Sequence, residues 1–225
     1  MKFYLPTMDG KDQFPAIEEA LAEPNGLLAF GGDLNPETLI NAYSHGIFPW
    51  FSDQEPILWW SPNPRMVLFP EKFHTSRSFK RALKKTNYCV FFDRNFEDVI
   101  EYCSETRKDG MGTWITESMK KAYVSLFNLG IAHCLEIEIE GQLAGGIYGV
   151  AIDNIFFGES MFSLQTNGSK FALFELCRYL IDNDYRVLDC QAHNHHLESM
   201  GAELIPIRKF KQYLPKISDL SQKIQ

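Results

Sequence analysis

The fold of this chain is decided by residues 134–163, which read CLEIEIEGQLAGGIYGVAIDNIFFGESMFS. Apolar and polar side chains alternate over residues 134–139, which is the pattern of a half-buried β-strand. Two turn pairs, Glu140-Gly141 and Asp153-Asn154, interrupt the apolar run, and the second pair suits a tight hairpin. The stretch therefore predicts a meander of three strands, at residues 134–139, 142–152 and 155–162.

Helices and further strands are predicted on both sides of this meander. Downstream, apolar residues recur at helical spacing between Leu173 and Leu180 and predict a helix over residues 169–182. A meander followed by helix, strand, helix and strand is typical of an α+β domain built around one mixed sheet. GNAT-type acyltransferases have the same order, and their central strands splay apart to admit an acyl donor; this likeness concerns the fold alone. The other predicted helices are at residues 76–85, 96–106, 116–128 and 195–200, and the other predicted strands are at 88–92, 186–189 and 203–206.

The first quarter of the chain has a different texture, because turn residues and aromatic residues dominate residues 1–61. Asn35 and Pro36 are typical of a helix start and Gly46 of a helix stop, so a short helix is predicted over residues 36–45. We therefore expect a small N-terminal domain, residues 1–61, packed on a GNAT-like catalytic domain, residues 62–225.

The composition limits the class of protein. Of the 225 residues, 45% are hydrophobic and 23% are charged, which are the proportions of a soluble globular protein. The five cysteines form no C-x-x-C pair, which argues against a zinc ribbon or a disulfide framework and fits a reducing compartment. Neither a signal-peptide core nor a run of about 20 apolar residues is found. We therefore expect a cytoplasmic protein that does not enter membranes.

The charge restricts any contact with nucleic acid. The formal net charge is −7, whereas proteins that wrap nucleic acid non-specifically are usually basic. Any such contact is therefore expected to be local. One candidate surface is the predicted helix at 76–85, where basic residues recur at helical spacing and form either a solvated face or a phosphate-binding track. These basic residues are Arg77, Lys80, Arg81, Lys84 and Lys85.

A carboxylate within an apolar strand is the first candidate for chemistry. Glu159 lies in IFFGESMFS, residues 155–163, and a buried ionised carboxylate is costly unless it is paired. Strand alternation places Glu159 on one face with Phe157 and Met161, among apolar neighbours. We interpret Glu159 as a functional residue; the alternative is a glutamate that points to solvent.

A second candidate lies in VLDCQAHNHH, residues 187–196. A strand that runs into a polar loop is a usual place for catalytic groups in a sheet fold, so Asp189 and Gln191 are candidates. The spacing H-x-H-H at residues 193–196 sends neighbouring side chains in different directions, whereas tetrahedral zinc needs convergent ligands. We therefore predict no metal site, and we expect Asn194 to cap the following short helix.

The tryptophans are clustered, because three of the four lie within residues 50–60. They form either an interdomain core or a wall on which a base or an aromatic side chain stacks.

These motifs together resemble the leucyl/phenylalanyl-tRNA–protein transferase family. The resemblance implies a small N-terminal domain joined to a GNAT-like domain. It implies an enzyme that transfers Leu, Phe or Met from aminoacyl-tRNA to proteins beginning with Arg or Lys, marking them for degradation. We further expect a monomer without a cofactor. The matching runs follow in order along nearly the whole chain: EPNGLL at 23–28, GGDL at 31–34, GIFPWF at 46–51, WWSP at 59–62, GTWIT at 112–116, GESMFS at 158–163 and LDCQ at 188–191.

The resemblance also implies roles for individual residues. Glu159, Asp189 and Gln191 match polar positions that act in catalysis and hold the acceptor. Trp50 and Trp114 match aromatic walls around the terminal adenosine and the aminoacyl group. Two positions in the apolar pocket depart from the family, which often has methionine at 147 and an aromatic residue at 176, so the preference among Leu, Phe and Met stays open. The implied pocket residues are Met161, Leu176, Leu188, Ile147 and Phe156.

A mechanism follows from the substrates. The aminoacyl ester on tRNA is already activated, so we expect neither ATP nor a metal. An α-amine has a pKa of about 8, so a modest base suffices to deprotonate it. Our hypothesis is that Asp189 withdraws the amine proton through Gln191 or an ordered water, and that Glu159 holds the positive group of the acceptor.

Two other functions stay open. The first is a GNAT-type acetyl-CoA-dependent N-acyltransferase, although residues 165–170, QTNGSK, hold one glycine where such enzymes usually have a Gly-rich pyrophosphate loop. The second is a non-catalytic binding module that presents an aromatic groove.

Overall fold

The computed structural model of the chain describes residues 5–9, 13–105 and 115–215. A small sheet is built from the first quarter of the chain, with strand order β1-β2-β4-β3. Strands β1 and β2 are parallel, and the other two pairs are antiparallel. A helix, α1 (Pro36–Ser44), connects β2 to β3. The strands are β1 (Thr7–Met8), β2 (Leu27–Gly31), β3 (Phe48–Pro49) and β4 (Leu58–Trp60).

A larger sheet of seven strands follows, with order β11-β5-β10-β9-β8-β7-β6. Only β9 and β10 are parallel neighbours; every other pair in this sheet is antiparallel. The predicted α+β architecture with one mixed sheet and the predicted meander are therefore confirmed. The strands are β5 (Arg65–Leu68), β6 (Tyr88–Phe92), β7 (Ala132–Ile139), β8 (Gln142–Ile152), β9 (Ile155–Ser163), β10 (Val187–Gln191) and β11 (Glu203–Ile205).

Helices cover both faces of the larger sheet and enclose two apolar cores. One core lies between the sheet and α1, α3 and α4, and it continues into the small sheet. The other lies between the sheet and α2 and α5. Ser76 and Thr116 begin α2 and α4 by accepting a hydrogen bond from a first-turn N–H. The remaining helices are α2 (Arg77–Lys85), α3 (Phe96–Glu105), α4 (Glu117–Asn128), α5 (Gly168–Asp182), α6 (His195–Ser199) and α7 (Ile207–Phe210), and 17–19 and 70–72 are single 3₁₀ turns.

A β-bulge in β9 sets the direction of Glu159. Tyr148 pairs with Ser160 and Gly149 pairs with Gly158, so Glu159 is an extra residue with no partner in β8. A bulge bends its strand and re-aims the side chain it carries. Glu159 consequently points towards α1 and α4. Phe157 and Glu159 both contact Tyr43 and share a face as predicted. The prediction was wrong for Met161, because alternation restarts after the bulge and Met161 packs against the opposite core.

The two parallel strands separate soon after they meet. β9 and β10 pair only over residues 155–157 and 187–189. Beyond these pairs β10 turns towards β5, where its register shifts between Asp189 and Gln191. The splayed strands expected from the GNAT likeness are therefore present, and they leave a gap at the centre of the sheet.

The small sheet is tied to the larger one. Helix α1 packs against α4 and β8, and Ser61, between β4 and β5, donates hydrogen bonds to Gly26 and Gly46. The predicted division between residues 61 and 62 falls between these two strands. Within the described ranges, none of the helices has both the length and the apolar character needed to cross a bilayer.

Candidate functional site

The gap between β9 and β10 opens into a cleft with a cavity volume of about 310 Å³. One wall is apolar and consists of Ile147, Met161, Leu173 and Leu188. The facing wall is polar and includes Glu159 from β9 and Gln191 from β10. The small sheet supplies residues 48–50 to the rim. The cleft therefore brings an apolar pocket and a polar site together at the junction of the two sheets.

Glu159 is buried at the polar wall and is surrounded by donors. The Tyr43 hydroxyl lies 2.7 Å from Oε1 and the Tyr123 hydroxyl lies 2.8 Å from Oε2, and each donates to Glu159 when its carboxyl group is ionised. The Gln191 amide donates to Oε1 at 2.7 Å. Burial raises the pKa of Glu159 from 4.5 to about 7, although these three hydrogen bonds oppose the rise. Glu159 therefore titrates near neutral pH.

Asp189 lies beneath this wall in an ion pair with Arg65. Nε of Arg65 donates to Oδ1 at 2.8 Å and Nη2 donates to Oδ2 at 2.6 Å, and neither side chain is exposed to solvent. The rings of Phe48 and Phe210 pack on the guanidinium at 4.9 and 4.8 Å. The two parallel hydrogen bonds fix the geometry of this buried ion pair, whereas Nη1 of Arg65 has no hydrogen-bond partner among the described residues. Asp189 is therefore held as a fixed acceptor.

Gln191 links Asp189 to the cleft. Its backbone N–H donates to Oδ1 of Asp189 at 3.0 Å, and its φ of 65° lies in the left-handed region that non-glycine residues seldom occupy. This conformation aims the side-chain amide at Glu159. Asp189 thus influences the cleft through the position of Gln191. The structure brings together all three residues that the sequence assigned to catalysis.

The tryptophans have separate roles. Trp50 lies on the cleft rim with 45% of its surface exposed, and its ring lies 5.4 Å from that of Trp60. Trp59 is fully buried in the core, where its ring meets Phe14 edge-on at 4.9 Å. The core interpretation is therefore confirmed for Trp59, whereas the stacking role stays a prediction for Trp50. Trp114 lies outside the described residues.

The predicted pocket residues are divided between two cavities. Met161, Leu188 and Ile147 line the cleft. Leu176 and Phe156 line a second, smaller cavity of about 50 Å³ on the other side of Ile147. Ile147 contributes to both cavities and separates them.

The basic stripe lies on the exposed face of α2. Phe79 packs the opposite face of this helix against Phe171 and Phe174 of α5. No ion pair joins the stripe to any part of the chain that the structure describes, and the stripe does not line the cleft. All of its residues are exposed: Arg77, Lys80, Arg81, Lys84 and Lys85.

The histidines at the rim are arranged differently from the prediction. His193 and His195 both approach one carboxylate oxygen of Glu198, at 3.2 and 3.3 Å. The predicted divergence was therefore wrong for these two residues, because the loop before α6 folds their rings towards the helix. Asn194 caps α6 as predicted, accepting hydrogen bonds from the N–H groups of His196 and Leu197.

Sequence reasoning assigned no role to three residues of the site: Arg65, Tyr43 and Tyr123. Arg65 follows Ser61-Pro62-Asn63-Pro64, and a lone arginine in an apolar strand, RMVL, was a signal for a buried acidic partner. Tyr43 fits the apolar face of its own helix, so the sequence did not single it out. Tyr123 carried no signal, because tyrosine is common on buried helix faces.

Two family models match the chain. The model described as leucyl/phenylalanyl-tRNA protein transferase matches residues 67–215. The model of the N-terminal domain of the same transferase matches residues 32–63.

Curated relatives give the same description. The chain is 52% identical over 214 residues to a leucyl/phenylalanyl-tRNA–protein transferase from Nitrosomonas europaea, covering 95% of this chain and 91% of the relative. It is 50% identical over 206 residues to a protein of the same name from Pseudomonas aeruginosa, covering 92% and 91%.

Solved structures that match are more distant. A GCN5-related N-acetyltransferase from Kribbella flavida matches with a TM-score of 0.36 and 9% identity, covering 72% of this chain and 58% of that one. The structure of L-PGS from Bacillus licheniformis matches with a TM-score of 0.41 and 13% identity, covering 74% and 53%.

Proposed function

Because this chain belongs to the leucyl/phenylalanyl-tRNA–protein transferase family, we propose that it moves Leu, Phe or Met from aminoacyl-tRNA to acceptor proteins that begin with Arg or Lys. The enzyme is an aminoacyltransferase. The observation that carries the finer proposal is the cleft, in which an apolar wall faces Glu159 and Gln191 across the gap between the splayed strands. An apolar amino acid esterified to tRNA is divided in the same way, because its apolar side chain lies beside a polar ester group.

The apolar wall receives the transferred side chain. Removing a leucine-sized side chain from water stabilises the complex by about 1.5–3 kcal/mol. The terminal adenosine stacks on Trp50 at the rim, and Trp114 is proposed to contribute a second ring. Such stacking contributes roughly 1–3 kcal/mol per base. The wall provides apolar contact without a hydrogen-bonding group specific for one side chain, so related apolar amino acids compete for it.

The acceptor amine approaches from the polar wall. Gln191 lines the cleft, and its amide oxygen is suited to accept a hydrogen bond from the amine. Asp189 acts on this step as a positioning residue, because both of its oxygens are engaged by Arg65 and the Gln191 backbone. The nitrogen forms a bond to the ester carbonyl carbon and the bond to the ribose oxygen breaks. The proton lost by the amine passes, through an ordered water beside Gln191, to the departing ribose oxygen, which leaves as a hydroxyl. Holding the two substrates together supplies much of the acceleration.

The tRNA body is proposed to contact the exposed basic stripe of α2. Its residues have no carboxylate partner in the described structure, so they are available for phosphate. Because the chain carries a net charge of −7, this contact is expected to be weak and sensitive to salt. We further propose that the protein acts as a cytoplasmic monomer without a cofactor, and that the transferred residue marks the acceptor for degradation.

An acetyl-CoA-dependent activity is disfavoured by the packing at the start of α5. A Cβ atom on Gly168 would lie 1.9 Å from the carbonyl oxygen of Ala144, so the helix start presses directly on β8. The Ser169 N–H already donates to the Ser163 hydroxyl at 3.1 Å. Pyrophosphate binding needs open N–H groups at such a helix start, and these contacts leave little room for it.

The test is a transfer assay with radiolabelled leucyl-tRNA and one acceptor protein made with Lys, Arg or Ser as its first residue. We expect label on the Lys and Arg forms alone, and none from labelled acetyl-CoA. Glu159→Ala and Asp189→Ala are expected to reduce transfer strongly. Wild-type turnover in both variants would contradict the assignment of the site, and label from acetyl-CoA alone would contradict the function.

A further inference from the structure

We propose that Glu159, Tyr43 and Tyr123 form a closed ring that holds three protons, so that Glu159 is a neutral carboxylic acid in the resting cleft and the two tyrosines are positioning residues that keep it so. Tyr43 lies on α1, the helix beside the small sheet, and Tyr123 lies on α4. Neither residue lines the cleft.

The ring follows from comparing the number of available protons with the number of close oxygen–oxygen contacts among these three residues. Tyr43 and Tyr123 approach the carboxyl group at 2.7 and 2.8 Å, and their two hydroxyl oxygens lie 2.6 Å apart. Each of these three separations is a hydrogen-bond distance between oxygens, and each requires one proton. The two phenols supply two protons, so an ionised Glu159 would leave one pair of oxygens in contact without a proton between them. A protonated Glu159 supplies the third.

The donor from Gln191 is compatible with the neutral ring. With the acid proton of Glu159 donated to Tyr123, Tyr123 donates to Tyr43 and Tyr43 donates to Oε1. Oε1 is then a carbonyl oxygen with two lone pairs, and it accepts the second of its hydrogen bonds from Gln191. Every polar atom of the ring is satisfied in this arrangement.

The charge balance of the buried site leads to the same result independently. Within the described ranges, Arg65 is the only buried basic side chain. Its charge is already neutralised by Asp189 in the bidentate pair. An ionised Glu159 would leave one uncompensated negative charge in a buried cluster, which is costly. A neutral Glu159 leaves the cluster with no net charge.

Among the titratable neighbours of Glu159, Asp189 favours the neutral acid, and the tyrosines stay neutral themselves although their hydrogen bonds favour the ionised form. Burial raises the pKa of Glu159 to about 7, and the charge of Asp189 from β10 adds to the rise. Tyr43 from α1 and Tyr123 from α4 have pKa values raised well above 10, by burial first and by Glu159 next. Tyr148 from β8 lies close to both tyrosines and raises their pKa values further. Among the residues whose structure is described, the buried cation beside this cluster, Arg65 from β5, is paired with Asp189.

A neutral Glu159 changes its role towards the substrates, and this consequence rests on the proposed function. The expectation that Glu159 pairs with the positive charge of the acceptor is replaced by a neutral group that donates and accepts hydrogen bonds. Substrate binding is then expected to be constant below neutral pH. Above neutral pH, where the ring loses its third proton, substrate binding is expected to weaken.

The protonation state is measured directly by ¹³C NMR on protein labelled at the glutamate carboxyl carbon, without any substrate. We expect one glutamate resonance that titrates near neutral pH, is missing in Glu159→Gln, and moves in Tyr43→Phe and in Tyr123→Phe. Tyr213→Phe, which removes a hydroxyl that makes none of the hydrogen bonds of the ring, is the matched control and should leave this resonance unchanged. A Glu159 resonance that is fully ionised at pH 6 would overturn the proposal.

Binding of a 3′-leucylamido-3′-deoxyadenosine, an amide analogue of the aminoacyl end, tests the consequence. Glutamine keeps a neutral donor and an acceptor at this position, with one additional N–H. Glu159→Gln should therefore bind more tightly than Glu159→Ala and, unlike the wild type, show no pH dependence above pH 7. Glu159→Ala should bind more weakly. If Glu159→Gln binds as poorly as Glu159→Ala, the neutral ring is refuted. If the resonance titrates near neutral pH while no transfer occurs with any aminoacyl-tRNA, the ring stands and the proposed function fails.

Discussion

The pH dependence of folding gives the sharpest test of the buried acid. Glu159→Gln replaces a group that titrates near pH 7 in the folded protein by one that does not titrate. In the unfolded chain Glu159 loses its proton near pH 4.5, whereas in the folded protein it holds the proton up to about pH 7. The folded state therefore binds more protons between these two values, and the stability of the wild type falls as the pH rises through this window. Above the window the loss is complete and the profile levels off.

The size of the effect follows from the same two values. A difference of one pKa unit corresponds to about 1.4 kcal/mol, so the full window is about 3 kcal/mol. Between about pH 5 and about pH 7.5 the wild type should lose roughly 2 kcal/mol more than Glu159→Gln. For a chain of this length that equals a relative shift in Tm of about 4–8 °C. Other titrating groups, including the histidines, are present in both proteins and cancel in the difference.

The assay is urea unfolding followed by circular dichroism at 25 °C, with both proteins measured in one series of buffers. The free energies of unfolding should diverge from pH 5 upwards and run parallel above about pH 7.5. Two profiles that stay parallel across the whole range would refute the reasoning. That result would mean that Glu159 has the same pKa in the folded and unfolded chain.

Three further predictions concern the ion pair, the cavity wall and the stripe. Asp189→Asn leaves Arg65 buried without a countercharge and should cost roughly 3–5 kcal/mol in urea unfolding, whereas the exposed Glu198→Gln should cost less than about 0.5 kcal/mol; equal costs would contradict the buried pair. Ile147→Ala joins the cleft to the cavity behind it, so competition between phenylalanyl-tRNA and leucyl-tRNA should shift towards phenylalanine by about ten-fold, and an unchanged ratio would show that the second cavity is closed off. Removing two stripe lysines, Lys80→Ala with Lys84→Ala, should reduce the slope of log binding against log salt by about 1–2, while Lys121→Ala on α4 should leave the slope unchanged.

Local patterns predicted much of the larger sheet and its helices. The meander was readable because Glu140-Gly141 and Asp153 mark turns, and Glu140, Gly141 and Asp153 all have the positive φ that such turns need. Helix α5 was readable because its buried face repeats at helical spacing. The residues that form each of these signals lie within about 15 residues of one another, so each signal can be recognised without knowledge of the fold.

The small sheet and β5 were not predicted, because their strands are two to five residues long. So short a run shows neither a clear alternation nor a length that separates strand from loop. β5 is fully buried between β10 and β11. All four of its residues are buried, so apolar and polar positions do not alternate along the strand. Their pairing depends on partners more than 100 residues away.

The site residues that could be predicted are those whose chemistry conflicts with the sequence pattern around them. The site residues that fit their local pattern could not be predicted. Glu159 was an acid in an apolar strand, and Asp189 and Gln191 ended a strand beside a loop, so each was visible from its neighbours. Tyr43 and Tyr123 are separated from Glu159 by 116 and 36 residues. Each tyrosine fits the apolar pattern of its own helix. The role of its hydroxyl becomes visible only in the structure, where the bulge turns Glu159 towards it.

The contact between α1 and the bulge gives the small N-terminal sheet a direct part in the chemistry. Tyr43 of this region reaches Glu159, and Phe48 from β3 packs on the guanidinium that holds Asp189. Removing the region would therefore take one member from the proton ring and expose the Arg65–Asp189 pair to water at the same time. The exposure to water would lower the cost of ionising Glu159, because burial is the main cause of its raised pKa. The small sheet is thus required for the polar wall to exist in its buried form, and it does more than supply Trp50 to the rim.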